Sequence, residues 1–552
     1  MPKDFLKKSL NLILKRQTNI LSAAFIIMMT IILSQILGLV RQRLLVGIFG
    51  ASDALGIYLA SSRLPDFLFQ ITIAGALSSA FIPVFSQYLL KENKDDAYRL
   101  GSTLLVLGLF SFSVLSLILF IFANGFLALI APGLSSSHIA FMASLMRVII
   151  IGELLFIVGS FLSVILQSYN HFFIPGIASA LYNLGIIIGI LTLHPFVGIF
   201  SAAYGVILGS AIFIIVQLPK IKSIGFSFLP TLSLKTTGVL EVIKLMWPRT
   251  LSLAIFQTGT ILIFTLVSFL PNPGRNYVIF DYAQTLAFAP IVLFGQAIAQ
   301  AAFPVLAKEK NNMDEFKATF ITSLNQILYL ILPVSILLLV LRIPIVRLVF
   351  GAAQFDWQAT VLTGKTLAFF SISIFAQALI NLVSRGFYAL HDTKTPLYTG
   401  AFSTIFMIIL GFLFILIFQM GVYSIAIAYS IANIINLLVL FVFLDKKTGG
   451  FKRVDLILPI SKIFVATIFT GFALYIPIKL LDQLVFDTTR TINLLLLTGI
   501  SSFIGLSLYL FLTWLFNVKE ATTFLLIFKK IGNWREVLGK SEEVIDATRV
   551  NP

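Results

Sequence analysis

The chain has no cysteine, only four histidines and few charged residues for its 552 positions. The lack of cysteine excludes disulfide bonds, thiol catalysis and cysteine-ligated zinc or iron–sulfur centres. The histidines are far apart, so no metal site and no other cofactor is expected; they are His138, His171, His194 and His391. Charged residues make up 11% of the chain, whereas soluble domains have about 25%. An ordinary soluble domain is therefore excluded.

Hydrophobic residues are abundant instead, at 59% of the chain, with a mean hydropathy of +1.01. Continuous apolar runs of the length that crosses a hydrocarbon core of about 30 Å recur from end to end. A membrane β-barrel would show short alternating segments instead. The sequence predicts an all-α integral membrane protein of about 14 transmembrane helices, over 20–46, 55–80, 100–123, 141–166, 176–194, 198–219, 249–270, 279–305, 316–341, 360–388, 397–419, 421–443, 460–481 and 493–517.

The net charge of +16 is concentrated in short loops between the apolar runs, which favours a role in membrane topology over nucleic-acid binding. Lysines and arginines cluster at 3–16, 91–99, 220–244, 308–317, 446–453 and in the tail. The other side holds little more than Arg275, Arg342, Arg347 and Arg490. The positive-inside rule then places both termini in the cytoplasm, behind a basic interfacial N-terminus and an uncleaved first span.

The sequence resembles itself at one fixed offset. Pro83 in "ALSSAFIPVFSQYLL" corresponds to Pro304 in "AIAQAAFPVLAKEKN", and with the same offset Pro175 corresponds to Pro396. Chance likeness between apolar segments is the alternative. A true duplication predicts two lobes in the same orientation, as in transporters that work by alternating access. The expected organisation is an N-lobe at 1–219, a cytoplasmic linker with an amphipathic helix at 220–248, a C-lobe at 249–445, two further helices at 446–517 and a cytoplasmic tail at 518–552.

Charged residues within the spans are the strongest functional signal, because each must face a partner or a polar cavity. Arg41 and Arg43 lie two residues apart in the first span and cannot share a helix face. In the second span Arg63 and Asp66 are spaced for a local ion pair, which could be purely structural. Arginine forks suit phosphate oxygens, so these four residues are the candidate head-group site for an anionic lipid.

Other polar positions are weaker candidates. Asp281 and Lys365 could face a cavity or lie at helix ends, and Arg147 and Glu153 are spaced to face different neighbours. "GIIIG", with Gly185 and Gly189, predicts close helix packing. The chain has no P-loop, no DDxxD-type acid pair and no Ser/His/Asp cluster, so an enzyme is the least favoured class.

Three stretches of the sequence carry a family resemblance: "LSQILGLVRQRLLVGIFGASDALGIYLASSRLPDFLFQITIAGALSSAFIPVFSQY", "RGFYALHDTKTPL" and "FLPNPGRNYVIFDYAQTLAFAPIVLFGQAIAQAAFPVLAK". They resemble the lipid II flippase family (MurJ/MviN). The resemblance implies fourteen helices in two six-helix lobes plus two, and flipping of a polyprenyl-diphosphate peptidoglycan precursor. It implies that Arg41 contacts the head group and that Arg43 and Arg63 occupy recurring basic positions. Candidate cavity or gating residues are Pro83, Pro304, Asp281, Lys365, Arg385 and Asp392.

The chain also departs from the family pattern at several charged positions. The residues found there are Gln35, Gln42, Gly56, Phe69, Ala74, Gln284 and Thr285. The helix after Pro396 has no acid for a sodium site, so the coupling ion stays open. Two alternatives to a lipid II flippase also stay open: another lipid-linked oligosaccharide or drug exporter of the superfamily, and a non-transporting cell-wall scaffold. Membrane lipids and other cell-wall synthesis proteins are the further expected partners.

Overall fold

The structure is a computed structural model that describes residues 20–74, 80–90, 94–229, 231, 233, 235–352, 354–484 and 490–522. Over these residues every regular element is helical and no strand occurs, which confirms the predicted all-α membrane fold. The basic N-terminus at 1–19 and the tail beyond residue 522 lie outside the described residues, and so do the linker positions 230, 232 and 234.

The helices are numbered α1 to α21 along the chain. They are α1 Ile20–Phe49, α2 Asp53–Ser61, α3 Arg63–Phe69, α4 Ile82–Leu90, α5 Lys94–Ile121, α6 Ala123–Ile130, α7 Ser136–Ser168, α8 Phe173–Val197, α9 Phe200–Ile215, α10 Leu218–Ser223, α11 Val239–Ser268, α12 Pro273–Pro290, α13 Ala297–Lys308, α14 Met313–Val340, α15 Arg342–Phe350, α16 Trp357–Ser371, α17 Ile374–Ala389, α18 Lys394–Phe412, α19 Tyr423–Lys447, α20 Arg453–Leu484 and α21 Thr491–Leu515.

Eleven helical stretches in the described part of the chain are long and apolar enough to cross a membrane, or twelve if α16 and α17 form one span bent by 42°. The predicted count of fourteen is not confirmed. The two further predicted spans are 55–80 and 249–270. The span predicted over 55–80 is divided between α2, α3 and the π-helical segment Gln70–Ala74. The span predicted over 249–270 forms the C-terminal part of α11. The predicted linker helix over 232–246 is, from Val239 onward, the start of this same helix α11.

In the described part of the chain, π-helical segments interrupt the α-helices at Gln70–Ala74, Ile291–Gln296 and Leu413–Ile417. The first two begin at positions 70 and 291, which have the same separation along the chain as Pro83 and Pro304. Each π segment precedes the helix that carries the corresponding proline, α4 or α13. A shared break in regular hydrogen bonding at equivalent positions supports the duplication.

The helices group into two compact units. The first unit contains Met1–Asp281, Val349–Thr363 and Thr404–Ile425, and the second contains Tyr282–Leu348, Gly364–Ser403 and Ala426–Pro552. These boundaries follow packing within the fold, and the predicted division into lobes, linker and terminal helices stays a prediction.

The core of the first unit lies where α4, α5 and α7 meet. Phe81 stacks on Phe85 with ring centroids 5.0 Å apart, and Phe161 meets Phe81 edge-on at 6.0 Å. Helices α8 and α9 cross closely, as "GIIIG" predicts. A Cβ atom built on Gly185 or Gly189 would lie 2.5 Å from the Cα of Gly209 or Gly205.

The core of the second unit is also aromatic. Phe320 of α14 stacks on Phe451 at 5.3 Å, and Phe441 of α19 stacks on the same ring at 5.5 Å. Helix α21 is tied to α14 by a hydrogen bond that the buried Tyr509 hydroxyl donates to the Tyr329 carbonyl at 2.7 Å. Apolar residues on many outward faces remain exposed, as expected of helices whose solvent is lipid.

Candidate functional site

Arg63 is held by two residues of a helix that is distant from it in the sequence. Its Nε donates a hydrogen bond to the Tyr277 hydroxyl at 2.6 Å, and its Nη2 lies 2.5 Å from Asp281 Oδ1. The guanidinium also lies over the Tyr277 ring, 5.7 Å from its centroid. Both charged side chains are largely buried, with 26% and 13% exposed. The prediction of a local Arg63–Asp66 ion pair is therefore wrong, because Arg63 pairs with Asp281 on α12 instead.

Asp66 connects this ion pair to the first span. Its Oδ2 accepts a hydrogen bond from the Ser62 hydroxyl at 3.1 Å, and it interacts electrostatically with both Arg63 and Arg41. The structure thus brings Arg41, Arg63 and Asp66 into one neighbourhood within the first unit. Asp281 joins them from the middle of α12, rather than from the end of a helix.

Arg41 lies among polar side chains that face it from other helices. It interacts electrostatically with Tyr58 of α2 and with Tyr182 of α8. Its Nε is buried without a hydrogen-bond acceptor in the described part of the chain. A buried donor without an acceptor is costly in an apolar environment, which makes Arg41 the side chain best suited to receive an anionic oxygen.

Arg43 points to a different part of the first unit. Its Nη1 and Nη2 each lie 3.5 Å from a backbone carbonyl oxygen, that of Val349 and that of Gly351 respectively. Two positions along a helix differ by about 200° around its axis, so this divergence from Arg41 follows from helix geometry. The structure does not bring Arg43 into the cluster around Asp66.

The candidates in the second unit have local partners. Arg385 lies over the Phe303 ring at 5.8 Å, and Pro304 lies inside α13. Lys365 is exposed in the middle of α16. Asp392 accepts hydrogen bonds from the Thr395 N–H and hydroxyl and from Lys447 Nζ. Burial would raise the pKa of Asp392, but these hydrogen bonds outweigh it and lower the pKa to about 2.

Three tyrosines of the cluster, Tyr58, Tyr182 and Tyr277, were not predicted from the sequence. They belong to a total of 15 tyrosines, and no spacing separates them from tyrosines that pack or lie at the membrane interface. The only available signal was their position within apolar runs. Among the described residues no group of three or more His, Asp or Glu side chains is placed to hold a metal ion.

Comparison with known proteins places this geometry in a family. Residues 45–495 match the family model of the lipid II flippase MurJ. The chain belongs to the lipid II flippase MurJ family. It is 30% identical over 419 residues to a probable lipid II flippase MurJ of Thermotoga maritima, covering 74% of this chain and 82% of the relative. It is 26% identical over 426 residues to the lipid II flippase MurJ of Burkholderia cenocepacia, covering 75% and 82%.

Solved structures agree on the fold. A lipid II flippase MurJ in an inward closed conformation superposes with a TM-score of 0.71 at 24% identity, covering 88% of this chain and 98% of that one. An inward-facing multidrug-resistance MATE transporter of the MOP superfamily gives a TM-score of 0.65 at 14% identity, covering 75% and 94%.

One departure from the MurJ family pattern has a clear structural basis. At Gly56, where the family resemblance implies an aspartate, a Cβ atom would overlap the Gly274 carbonyl oxygen. Helices α2 and α12 therefore touch backbone to backbone, and a side chain at position 56 has no room. Asp53, one turn earlier, accepts a hydrogen bond from the Arg275 N–H at 2.9 Å, so a carboxylate still serves this crossing.

The Arg275 side chain reinforces the same crossing. It bonds to the Ala51 carbonyl oxygen at 3.3 Å and to Asp356 at 2.8 Å. Burial raises the pKa of Asp356, but the Ala359 N–H and Arg275 together lower it overall.

The other departures are structurally diverse. Gln35 is exposed on α1, and Phe69 packs edge-on against Phe156 at 5.6 Å. Gln284 and Thr285 lie in the part of α12 that belongs to the second unit. The side chain of Ala74 is outside the described residues.

Proposed function

We propose that this chain flips lipid II across the bacterial plasma membrane by alternating access, with the diphosphate of the head group bound at Arg41 and Arg63. It is a multi-pass transporter rather than an enzyme, and it contributes to peptidoglycan synthesis. The observation that carries this function is the match to the lipid II flippase family over residues 45–495.

Electrostatics supports the choice of Arg41 and Arg63. Arg41 Nε has no acceptor among the described residues. Arg63 uses Nε and Nη2 for Tyr277 and Asp281, so its Nη1 remains for a ligand. Guanidinium groups bind phosphate oxygens through directed hydrogen bonds, which are stronger where water is scarce. Asp66 interacts with both cations and offsets their mutual repulsion, and Arg43 is proposed as an outer contact for the sugar or peptide.

We propose that exchange between inward-open and outward-open states occurs by bending at the two corresponding π segments, Gln70–Ala74 and Ile291–Gln296. The π segments before Pro83 and Pro304 depart from the α-helical hydrogen-bond pattern, and such segments are frequent at functional sites. We place the hinges there, with both termini in the cytoplasm. We propose that the part of the transporter that moves during exchange is lined or stabilised by Lys365, Arg385 and Asp392. Lipid II, the surrounding membrane lipids and other cell-wall synthesis proteins are the proposed partners.

The test is complementation. In cells whose own lipid II flippase is depleted, this chain should restore lipid II at the outer face, measured by labelling of externally accessible head groups. Arg41→Ala should abolish the restored exposure, because it removes the main phosphate contact.

Arg147→Ala is the matched control, since Arg147 is an arginine within a span whose Nε bonds to the Phe120 carbonyl oxygen. Normal expression without any rise in exposed lipid II would overturn the proposed function. Rescue by Arg41→Ala together with failure of tail-truncated chains would favour the scaffold instead.

A further inference from the structure

Glu153 is a buried acid that has no role in the proposed binding of the head group. It lies near the midpoint of α7, at roughly 25 Å from either end of that helix, and only 7% of it is exposed. No hydrogen bond or ion pair reaches it from the residues that the structure describes. A carboxyl group at this depth without a partner is costly to ionise.

Its charged neighbour is another acid. Glu153 interacts electrostatically with Asp66, and the Tyr182 ring of α8 lies within range of both carboxyl groups. Asp66 interacts electrostatically with Arg63 and Arg41. Tyr58 of α2 interacts electrostatically with Arg41 and Asp66. Glu153 and Asp66 thus form a carboxyl pair whose counter-charges are the proposed head-group arginines.

The remaining helices against α7 add no charge at this level. Helix α9 has Tyr204 as its one titratable residue, which is 40% exposed and whose ring is tilted beside that of Phe200. Helix α5 carries its titratable residues in the first turns, between Lys94 and Arg99, and α6 carries none. The other titratable residues on elements that pack here lie at the ends of their helices, and they are Asp53 of α2, Tyr88 of α4, His194 of α8 and Lys220 and Lys222 of α10. Helix α7 itself carries His138 in its first turn and Arg147, whose Nε donates a hydrogen bond to the Phe120 carbonyl oxygen.

With both carboxyl groups ionised, this cluster carries one excess negative charge while Arg41 is free, and it also loses the balancing charge of Arg41 once a ligand anion binds there. Asp281 neutralises Arg63, and Arg41 is left to balance Asp66, so an ionised Glu153 adds one unpaired negative charge. When an anionic head group engages Arg41, that cation is no longer available to the carboxylates. Two acids close together in a low dielectric do not both stay ionised.

We propose that Glu153 and Asp66 form a proton-binding pair that takes up one proton from water when an anionic lipid head group binds at Arg41. The carboxylate becomes a carboxylic acid on binding and returns the proton to water when the head group leaves. Proton binding and lipid binding then strengthen each other, as linkage requires. The inference rests on the proposed function, because it names the ion that is linked to the same site.

The experiment measures proton uptake directly. Lipid II is added to the purified chain in a weakly buffered detergent solution with a pH indicator, and its affinity is measured between pH 5.5 and 8.5. We expect uptake of about one proton per bound lipid, and an affinity that rises by up to about tenfold per unit decrease in pH. The same titration with choline in place of sodium should give the same result.

Glu153→Gln mimics the protonated acid, so it should bind lipid II with the low-pH affinity at every pH and take up no proton. Glu520→Gln is the matched control, because Glu520 is equally buried, at 7% exposed, but lies beyond the last span. It should behave as the unmodified chain does.

The outcomes separate the two claims. Normal lipid II binding without proton uptake, an unchanged pH slope in a folded Glu153→Gln chain, or dependence on sodium instead of pH would overturn the proton pair alone. Failure of the unmodified, folded chain to bind lipid II would overturn the proposed function and the linkage with it. The uptake measurement on the unmodified chain decides the matter even if Glu153→Gln does not fold.

Discussion

Arg63 and Arg41 satisfy their guanidinium groups within the membrane in different ways. Arg63 has an ionic and a phenolic partner, whereas Arg41 keeps a buried Nε without an acceptor among the described residues. The first arrangement stabilises the fold and fixes the orientation of the side chain. The second leaves binding capacity unused, so the two arginines are expected to respond differently to substitution.

Asp281→Asn tests the stabilising role of the Arg63 pair. Loss of the counter-charge should lower the stability by about 1.5–3 kcal/mol, the usual range for a hydrogen bond to a charged group. Thermal unfolding in detergent is the measurement. Tyr277→Phe should have a smaller effect, because it removes only the hydroxyl. The double variant Arg63→Gln/Asp281→Asn should lose less than the sum of its single changes, and strict additivity would contradict the pair.

Gly56→Ala tests the backbone contact between α2 and α12. The added methyl group would overlap the Gly274 carbonyl, so the folded yield and the melting temperature should both fall clearly. Gly38→Ala is the control, since a Cβ atom there meets nothing within 4 Å and alanine favours helix by about 0.5–1 kcal/mol. Equal melting temperatures for the two variants would rule out the tight crossing.

Individual residues were predictable only where local geometry decides the outcome. The opposite faces of Arg41 and Arg43 follow from the helical repeat, and the structure shows them. The partner of Arg63 did not follow, because Asp66 is one helical turn away whereas Asp281 lies on a helix far along the chain. A spacing argument favours the local choice, whereas tertiary packing of α3 against α12 determines the actual one.

At the scale of elements, hydropathy predicts where helices lie but not where they break. The π segments at positions 70 and 291 consist of residues as apolar as their neighbours, so no composition signal marks them. The boundary between the predicted linker helix and the seventh span is lost for the same reason, because α11 continues through both.

The turn before α18 gives a prediction with a defined pH dependence. Asp392 has a pKa lowered to about 2 in the folded chain, against about 3.9 when unfolded. Its ionised form therefore stabilises the fold above about pH 4, and the contribution is lost as the pH falls toward 2. Asp392→Asn should melt at a lower temperature than the unmodified chain at pH 7.

That difference should shrink between pH 5 and pH 3, measured by thermal unfolding at each pH. Asp455→Asn is the control, because Asp455 is exposed and forms no ion pair within the described residues. A difference between Asp392→Asn and the unmodified chain that stays constant down to pH 3 would contradict the assigned role of Asp392.

At the scale of the whole molecule, the fold class was the most secure prediction. It depends on summed hydropathy over long windows, which is insensitive to any single residue. The family resemblance extended it to function, and the family match agrees. The number of spans was harder, because the span predicted over 55–80 is divided between the short helices α2 and α3, and the span predicted over 249–270 continues from the linker helix within α11.

The absence of cysteine makes the predicted topology directly testable. Ser137→Cys, at the start of α7, should react with a membrane-impermeant maleimide added to intact spheroplasts. Ser223→Cys, at the end of α10, should react only after permeabilisation, because the basic region that follows is assigned to the cytoplasm. The unmodified chain, with no thiol, provides the background. The reverse labelling pattern would invert the orientation.

The paired π segments also bear on the predicted duplication of the gene. Their starting positions, the two prolines after them and the later Pro175–Pro396 pair all keep one and the same offset. Insertion of a residue into only one copy would have shifted every later pair by one. The predicted duplication therefore implies that the irregular turn was present in the ancestral half before it was copied, and that the two bends share a common origin.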